Sequence, residues 1–547
     1  MKRNRLYLFL LLAISLLPLV AFFKPGLPIT HDGQDHVARI ANFYQSLSEG
    51  NLVPRWAANL NWGYGHPILM FLYPLPSYIA SFFHLLSFSL VDSVKIAFGL
   101  SFIMSGLFMY LWVAEIWGSQ SAFVAGLIYM FAPYRFVDLY VRGALGECWA
   151  FVWPPLICYF ALKLTKKPSW LNLAGGSLVL AALILSHNAL SLMFLPIILG
   201  YIGYLVLTSK ENYVLRITNY VLLVVFGFAL SAFYWFPALI EGKYTLRDIV
   251  TKNQIVGFEP LSRLIWSAWN FGGTGQFSVQ LGPLQWLAVV LAPLIIWRFY
   301  KVKNRIWILL TFLLIYFCLA IFLVLPAAKP LYLWFALLQK FQFAWRWLSL
   351  TIFPPAVFVA ALIYLLPRKI KPLAISFLLL AVLLLNKNYW YAKDFLIKDE
   401  SFYSQPYASP TDTGESAPIW SVRFMEQFPK AKYEVIEGKA KIREINRTTT
   451  RHVFEVEADK PSRLVDNTLY FPNWQVLVDS QPVEIQFQDP QYRGLITFNV
   501  QSGEHEIVAQ FLDTKLRRLA NLVSAMAIFL VILGAKLYHL PRHHAKN

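Results

Sequence analysis

Long apolar runs separated by short polar breaks fill the chain up to about residue 392. Twelve runs approach the ~20 residues that a helical membrane span needs: 6–23, 94–114, 119–133, 148–164, 171–187, 189–207, 217–240, 283–299, 306–326, 347–366, 373–388 and 519–538. The shorter ones are expected to tilt or extend at their ends. A further run, 67–88, carries Pro67, Pro74 and Pro76. Proline removes a backbone donor and clashes with the preceding turn, so this run is expected to form an interfacial or re-entrant hairpin. The period changes after residue 392. RHVFEVEAD, SRLVDNTLYF, WQVLVDS, GLITFNV and HEIVAQFLD alternate apolar with polar residues. Turn signals separate them at Asp479-Ser480-Gln481-Pro482 and Gln501-Ser502-Gly503. Such alternation predicts short antiparallel strands in a β-sandwich-like domain large enough to bury its own core. The expected organisation is a transmembrane domain over 1–392, with a large loop at 24–93, then a β-rich domain over 393–517. A last span and tail follow over 518–547.

Composition agrees. The 547 residues are 57% hydrophobic and 14% charged, with a mean hydropathy of +0.51. Soluble domains run about 45–50% apolar and about 25% charged. The net charge of +18 would point to nucleic acid in a soluble protein, but the basic residues sit mostly in short loops between spans. The positive-inside rule explains them, and no nucleic-acid partner is expected. Lys2, Arg3 and Arg5, the 163–167 and 210–216 clusters, 301–305, 368–371, Arg542 and Lys546 all fall on one side if 67–88 does not cross. Only Lys515, Arg517 and Arg518 dissent. The N-terminal run has no small-residue cleavage site before Lys24-Pro25 and reads as a retained signal-anchor. Both termini are then cytoplasmic in a cell-membrane protein of about twelve spans. The β domain and the loops 24–93, 134–147, 241–282 and 327–346 face the extracytoplasmic side. Cys148, Cys158 and Cys318 have no metal or disulfide spacing.

Several polar groups on that face could carry chemistry. Asp32 and His36 lie one helical turn apart if a helix begins near His31, with Asp35 between them. Val37, Ile40, Ala41, Tyr44 and Leu47 give that helix an apolar face suited to an interface. Two readings of Asp32 stand: an N-cap or a reactive carboxylate. A divalent metal on Asp32, Asp35 and His36 is a further option, although no distant ligand is identifiable. Arg135, Arg142 and Glu147 lie between two spans. Arginine suits phosphate because its guanidinium meets two oxygens at once, while Arg142 and Glu147 could also form a structural pair. Arg346, between Trp345 and Trp347, is either a phosphate ligand or an interfacial anchor. His187-Asn188 reads as a tight turn between two runs, and Lys243, Arg247 and Lys252 are expected to add positive field. There is no Walker loop, Rossmann fingerprint, nucleophile elbow or zinc motif.

The order of these pieces resembles a membrane glycosyltransferase of the GT-C superfamily. The nearest likeness is to bacterial membrane proteins labelled "6-pyruvoyl-tetrahydropterin synthase-related", and a more distant one is to the YfhO-like family. The matching segments are Asp32-x-x-x-His36, Gly50 to Trp56 including Arg55, Gly63 to Pro67 including His66, Tyr73-Pro74-Leu75, Tyr140 to Gly143 with Glu147, Thr413 to Pro418 including Glu415, and Tyr470 to Trp474. The pterin label implies soluble zinc chemistry that these residues do not support. The resemblance implies inverting transfer of a sugar from a polyprenyl-phosphate donor to a glycan, lipid or protein acceptor. It implies Asp32 as general base, with Asp35 and His36 beside it. Arg142, Arg346 and Arg135 would meet the donor phosphate, and Arg55, His66, Tyr140, Glu147 and Glu415 would bind substrate. GT-C chains commonly place a second acid directly after the Asp; here Gly33 follows and Asp35 comes later. Two other functions stay open. One is a flippase or transporter for lipid-linked sugars, against which the lack of an internal repeat counts. The other is a non-catalytic scaffold carrying a sugar-binding domain.

Overall fold

The computed structural model describes residues 2–209, 213–250, 256–271 and 276–539. Lys210, Lys252, Arg542 and Lys546, weighed above, lie outside them. All twelve apolar runs are helical, as expected where only a helix can satisfy its backbone internally. Among the described residues, eight helices are long and apolar enough to cross a membrane: Leu90–Trp117, Leu145–Lys166, Asn188–Thr208, Tyr213–Leu230, Pro283–Lys301, Ile306–Val324, Ala344–Leu365 and Lys515–Lys536. Two bent pairs raise this to ten. The first helix, α1 (Lys2–Ser15), continues into Leu17–Phe23 across a 42° bend, and Ser119–Met130 continues into Pro133–Arg142 across 51°. Pro18 and Pro133 stand just beyond those breaks. Trp170–Ser186 and Lys371–Asn386 are apolar but shorter, so the expected twelve spans become eight to ten by length.

Residues 33–88 pack as a layer on one end of the bundle. Helix α2 (Gly33–Ser48) has Val37, Ala38, Ile40, Ala41 and Phe43 buried. It is covered by protein and is not the interfacial helix that its amphipathic pattern implied. Residues 67–88 give one turn at Ile68–Phe71 and then α3 (Leu75–Leu85). The 11 residues of α3 rise about 16 Å, far short of a ~30 Å hydrocarbon core. Phe82, Leu85 and Leu86 remain exposed along it, as suits an interface. Cysteines introduced at Leu52 and Asp92 should therefore react with an impermeant thiol reagent from the same side of the membrane. Labelling from opposite sides would show that 67–88 crosses.

Arg517 accounts for one member of the dissenting basic cluster, while Lys515 and Arg518 are exposed. Arg517 is fully buried, donates to Glu241 Oε2 at 2.8 Å and stacks on Phe511. A neutralised, buried arginine carries little weight in a rule that counts exposed loop cations.

Two short strands, β1 (Leu27–Pro28) and β2 (Phe395–Leu396), pair and tie the first loop to the segment leaving the bundle. The C-terminal strands are β3 (Tyr433–Arg447), β4 (Arg451–Leu469), β5 (Trp474–Val478), β6 (Gln481–Val483), β7 (Leu495–Val500) and β8 (Gly503–Phe511). They form one continuous antiparallel sheet in the order β3-β4-β8-β5-β6, with β7 also on β4. The long β4 pairs β8 over Arg451–Ala458 and β7 over Ser462–Leu469. The change falls at Asp459-Lys460-Pro461, where proline cannot donate to a ladder. Opposite this point Gly438 has φ +95°, and a Cβ there would lie 2.7 Å from Ser462 Cα. Alternation along β4 buries Phe454, Val456 and Ala458. The same core takes in Trp56, Met70 and Phe71 from the first loop, so the domain's core is shared with the membrane part.

Inside this sheet Asp466 accepts from His452 Nδ1 (2.5 Å) and lies 3.3 Å from Arg447. Burial alone would raise its carboxyl; the His452 and Arg447 charges outweigh that and hold it at about 2. An unfolded aspartate titrates near ~3.9. The stabilisation, roughly 2 kcal/mol, is therefore present above about pH 4 and lost as pH falls toward 2. Thermal unfolding of the full chain should show a steeper acid loss in wild type than in Asp466→Asn. Identical pH profiles would remove this assignment.

Candidate active site

The site lies where the start of α2 meets the 134–147, 342–346 and 407–415 segments. Backbone bonds place it. His31 N donates to Val141 O at 3.0 Å and Asp32 N to Arg142 O at 2.9 Å. These carbonyls end a π-helical turn, Val137–Arg142, a wider turn with i→i+5 bonds that recurs at functional positions. Gly143 follows with φ +67°, and a Cβ there would stand 2.2 Å from Thr30 Oγ1. Only glycine lets the two segments close.

Thr30 does the capping: Gly33 N donates to Thr30 Oγ1 at 3.1 Å. Asp32 makes no side-chain cap, and no described residue hydrogen-bonds or ion-pairs with its carboxylate. Asp35 accepts from the Tyr407 hydroxyl at 3.2 Å. Burial raises its carboxyl above the usual range, more than Arg39 and the Tyr407 bond lower it. His36 is buried, which holds its imidazole well below its ordinary value and leaves it neutral near pH 7.

Glu147 is a hub. Its Oε1 accepts from Arg142 (2.8 Å) and Arg346 (3.3 Å), and its Oε2 from Tyr134 (3.2 Å) and Ser349 (3.4 Å). His187 Nε2 is 3.9 Å away and its ring stacks on Tyr73. Arg142 also donates to Asp138 (2.7 Å) and lies over Trp345. Arg142 and Glu147 are thus a pair, with both terminal nitrogens of Arg142 engaged. Arg346 donates further to Phe341 O (2.8 Å) and Gln342 (3.3 Å).

Other expected residues lie apart or serve as ties. Arg135 is fully buried between Phe102 and Phe151 and donates to Ser105 at 3.0 Å; it does not join the Arg142–Arg346 group. Arg55 bridges to Asp513, Asn521 and Phe233 O at the foot of the last helix. The Tyr140 hydroxyl donates to Pro18 O. Glu415 accepts from Thr413 N (3.0 Å) and Gln342 (3.4 Å), so it rims the site. His66 is buried 3.5 Å from Asp412. Burial would raise Asp412; His66 and the Ser416 and Gly414 bonds prevail and keep its carboxyl low. His187 does form the expected turn and caps the next helix, accepting from Leu190 N.

Sequence reasoning did not single out Tyr73, Tyr407, Thr411 or Asp412 as site members. Tyr73 is half-buried, and desolvation pushes its hydroxyl up to about 12. Tyr73 stood inside a motif quoted above, and Asp412 directly before another. Tyr407 and Thr411 carried no signal. Among the described residues no group of three or more His, Cys, Asp or Glu is placed to hold a metal. Asp32, Asp35 and His36 do not make such a set.

No protein-family model matches the chain. An uncharacterized protein of Lactococcus lactis subsp. cremoris (strain MG1363) is 23% identical over 290 residues, covering 49% of this chain and 47% of that protein. The chain thus spans about half the length of the curated relative it matches. Among solved structures, the arabinofuranosyltransferase AftD from Mycobacteria is 16% identical, with TM-score 0.48 over 70% of this chain and 26% of that one. ArnT from Cupriavidus metallidurans, bound to undecaprenyl phosphate, is 15% identical, with TM-score 0.41 over 72% and 67%. The oligosaccharyltransferase AglB from Archaeoglobus fulgidus, with an inhibitory peptide and a dolichol-phosphate, is 12% identical, with TM-score 0.42 over 76% and 61%. At these values none assigns a role to a residue of this chain. The fold itself defines a polytopic helical membrane protein with a C-terminal β-sheet domain packed on its first loop.

Proposed function

We propose that the protein is a membrane glycosyltransferase that moves a sugar from a polyprenyl-phosphate donor to an acceptor on the extracytoplasmic face, with inversion. The observation that carries this reading is Asp32, a carboxylate without a described partner at the mouth of a site otherwise filled with paired charges. A free carboxylate near neutral imidazoles and fixed arginines can take a proton from an acceptor hydroxyl as that oxygen attacks the sugar. The leaving phosphate needs no general acid; it needs positive charge held in place. Arg346 and Arg142 supply such charge, Arg142 mainly by keeping Glu147 and Arg346 in position. Asp35 is the runner-up base, since burial raises its carboxyl and so makes its carboxylate the stronger proton acceptor.

The direct test uses the purified full-length chain with undecaprenyl-phosphate-linked sugars and a membrane lipid extract as acceptor. Transfer with release of undecaprenyl phosphate and an inverted anomeric centre is the expected result. Release of nothing, with transport of the intact lipid-linked sugar across a proteoliposome, would replace this reading by the transporter.

A further inference from the structure

The connection between the spans Ile306–Val324 and Ala344–Leu365 carries an uncovered apolar run. Leu333, Trp334, Phe335, Ala336 and Leu337 are all exposed, Trp334 at 77%. Such a run on a water-facing loop invites aggregation, so it marks a contact surface. The backbone beneath it is anchored. Tyr332 is buried, donates its hydroxyl to Leu323 O at 3.0 Å and sets its ring edge-on to Phe258. Gln339 Nε2 donates to Tyr332 O at 2.8 Å. One side of this hairpin is therefore tied to protein, and the other is bare.

The bare side continues a surface that already faces lipid. The span Ile306–Val324 has 19 residues and rises about 28 Å, close to the ~30 Å of a hydrocarbon core. Ile315, Cys318, Leu319 and Phe322 are exposed along it at helical spacing, up to its last turn. The hairpin follows from that end. Exposed Lys329 and Lys340 bracket its apolar run. Tryptophan at headgroup level, and lysine with its stem in lipid and its ammonium among phosphates, are the residues of a membrane boundary. A neighbouring segment repeats the pattern: Leu261, Ile265 and Trp266 are exposed on a short helix. Its Leu264 O accepts from Trp286 Nε1 at 3.0 Å, in the first turn of the span Pro283–Lys301. Val256 bridges to Phe343, which joins the two segments.

We propose that the 329–340 hairpin is inserted in the phospholipid leaflet on the side of the β-sheet domain. Leu333, Trp334, Phe335 and Leu337 lie among the upper acyl chains, and Lys329 and Lys340 lie at the lipid phosphates. Gln342, just past the hairpin, donates to Glu415 at 3.4 Å, which fixes the side. The proposal rests on the membrane fold and stands whether or not the chain transfers sugar. It also bears on the site. Arg346 donates to Phe341 O and Gln342 Oε1 at the base of the hairpin, so the leaflet sets the depth at which this arginine is held.

The test puts a nitroxide on Trp334→Cys or Leu337→Cys in the full-length protein, in nanodiscs of phosphatidylcholine and phosphatidylglycerol. Its collisions with oxygen, which concentrates among acyl chains, are compared with those of a water-soluble nickel chelate. Cys318→Ser removes the exposed native thiol, and the buried Cys148 and Cys158 are inert to the reagent. Oxygen should dominate at both hairpin positions. A label on Lys340→Cys should meet both reagents to similar extents, and one on exposed Lys441→Cys of β3 should meet mainly nickel. Exchange of an exposed side chain is mild, and monodisperse elution qualifies each variant; should one hairpin variant fail there, the other carries the test. Dominance of nickel at either hairpin position would overturn the insertion and place the run in water. Weak collisions with both reagents would overturn it in favour of a protein cover, and dipolar broadening between labels would then identify that cover as a second copy of the chain.

Discussion

Asp32→Asn should fold, insert and still bind the lipid-phosphate donor, yet transfer sugar about 10²–10⁴-fold more slowly, the usual loss with a general base. The structure sharpens this expectation in one respect. Thr30 already caps α2, and the Asp32 carboxylate has no bond to lose among the described residues. The substitution therefore removes a proton acceptor and little else, and thermal unfolding should stay within a few tenths of a kcal/mol, as for exposed sites free of special contacts. Asp35→Asn keeps an oxygen for Tyr407 and should slow transfer less. The readout is single-turnover release of undecaprenyl phosphate at saturating donor. If Asp35→Asn abolishes transfer while Asp32→Asn turns over normally, the roles are exchanged. If both variants stay active, this end of α2 is not where the proton goes.

The largest effect on stability should come from Glu147→Ala. Glu147 is 1% exposed and receives Arg142, Arg346, Tyr134 and Ser349. Its removal leaves two buried guanidinium groups facing each other across a gap. Breaking a buried pair from one side typically costs about 3–5 kcal/mol. Glu147→Gln retains acceptors without charge and should lose less. Arg142→Ala should also destabilise but less, since it strands Asp138 while Glu147 keeps Arg346, Tyr134 and Ser349. Thermal unfolding of the full-length protein in one detergent compares all three with wild type. A Glu147→Ala protein as stable as wild type would mean that the hub holds nothing together, and Arg142 would return as the first candidate for the donor phosphate.

The amphipathic pattern of α2 shows where its helix runs but not what covers it. Val37, Ile40 and Ala41 read as a face for a membrane interface, whereas protein surrounds them. Periodicity records that a face is apolar, and lipid and protein interior are equally apolar partners. The break within 67–88 was legible for a stronger reason: its three prolines interrupt the run, and Ile68–Phe71 and Leu75–Leu85 are separate short helices. The dissenting Arg517 could not be explained without its partner, because Glu241 lies 276 residues away.

By itself the sequence determined the helical runs, the change of period that announces the β domain, and the cluster Asp32, Asp35 and His36 at one end of one helix. These are local properties, set by the 3.6-residue and 2-residue repeats and by the cost of leaving a backbone unpaired in hydrocarbon. Only the tertiary structure decided which charges are neutralised. Arg142 and Glu147 are near in sequence, but Arg346 reaches Glu147 across 199 positions and Thr411 aims Arg39 across 372. Whether an arginine is free to meet a ligand depends on which carboxylates surround it in space. That choice is made by the packing of distant segments on α2, which no window along the chain contains.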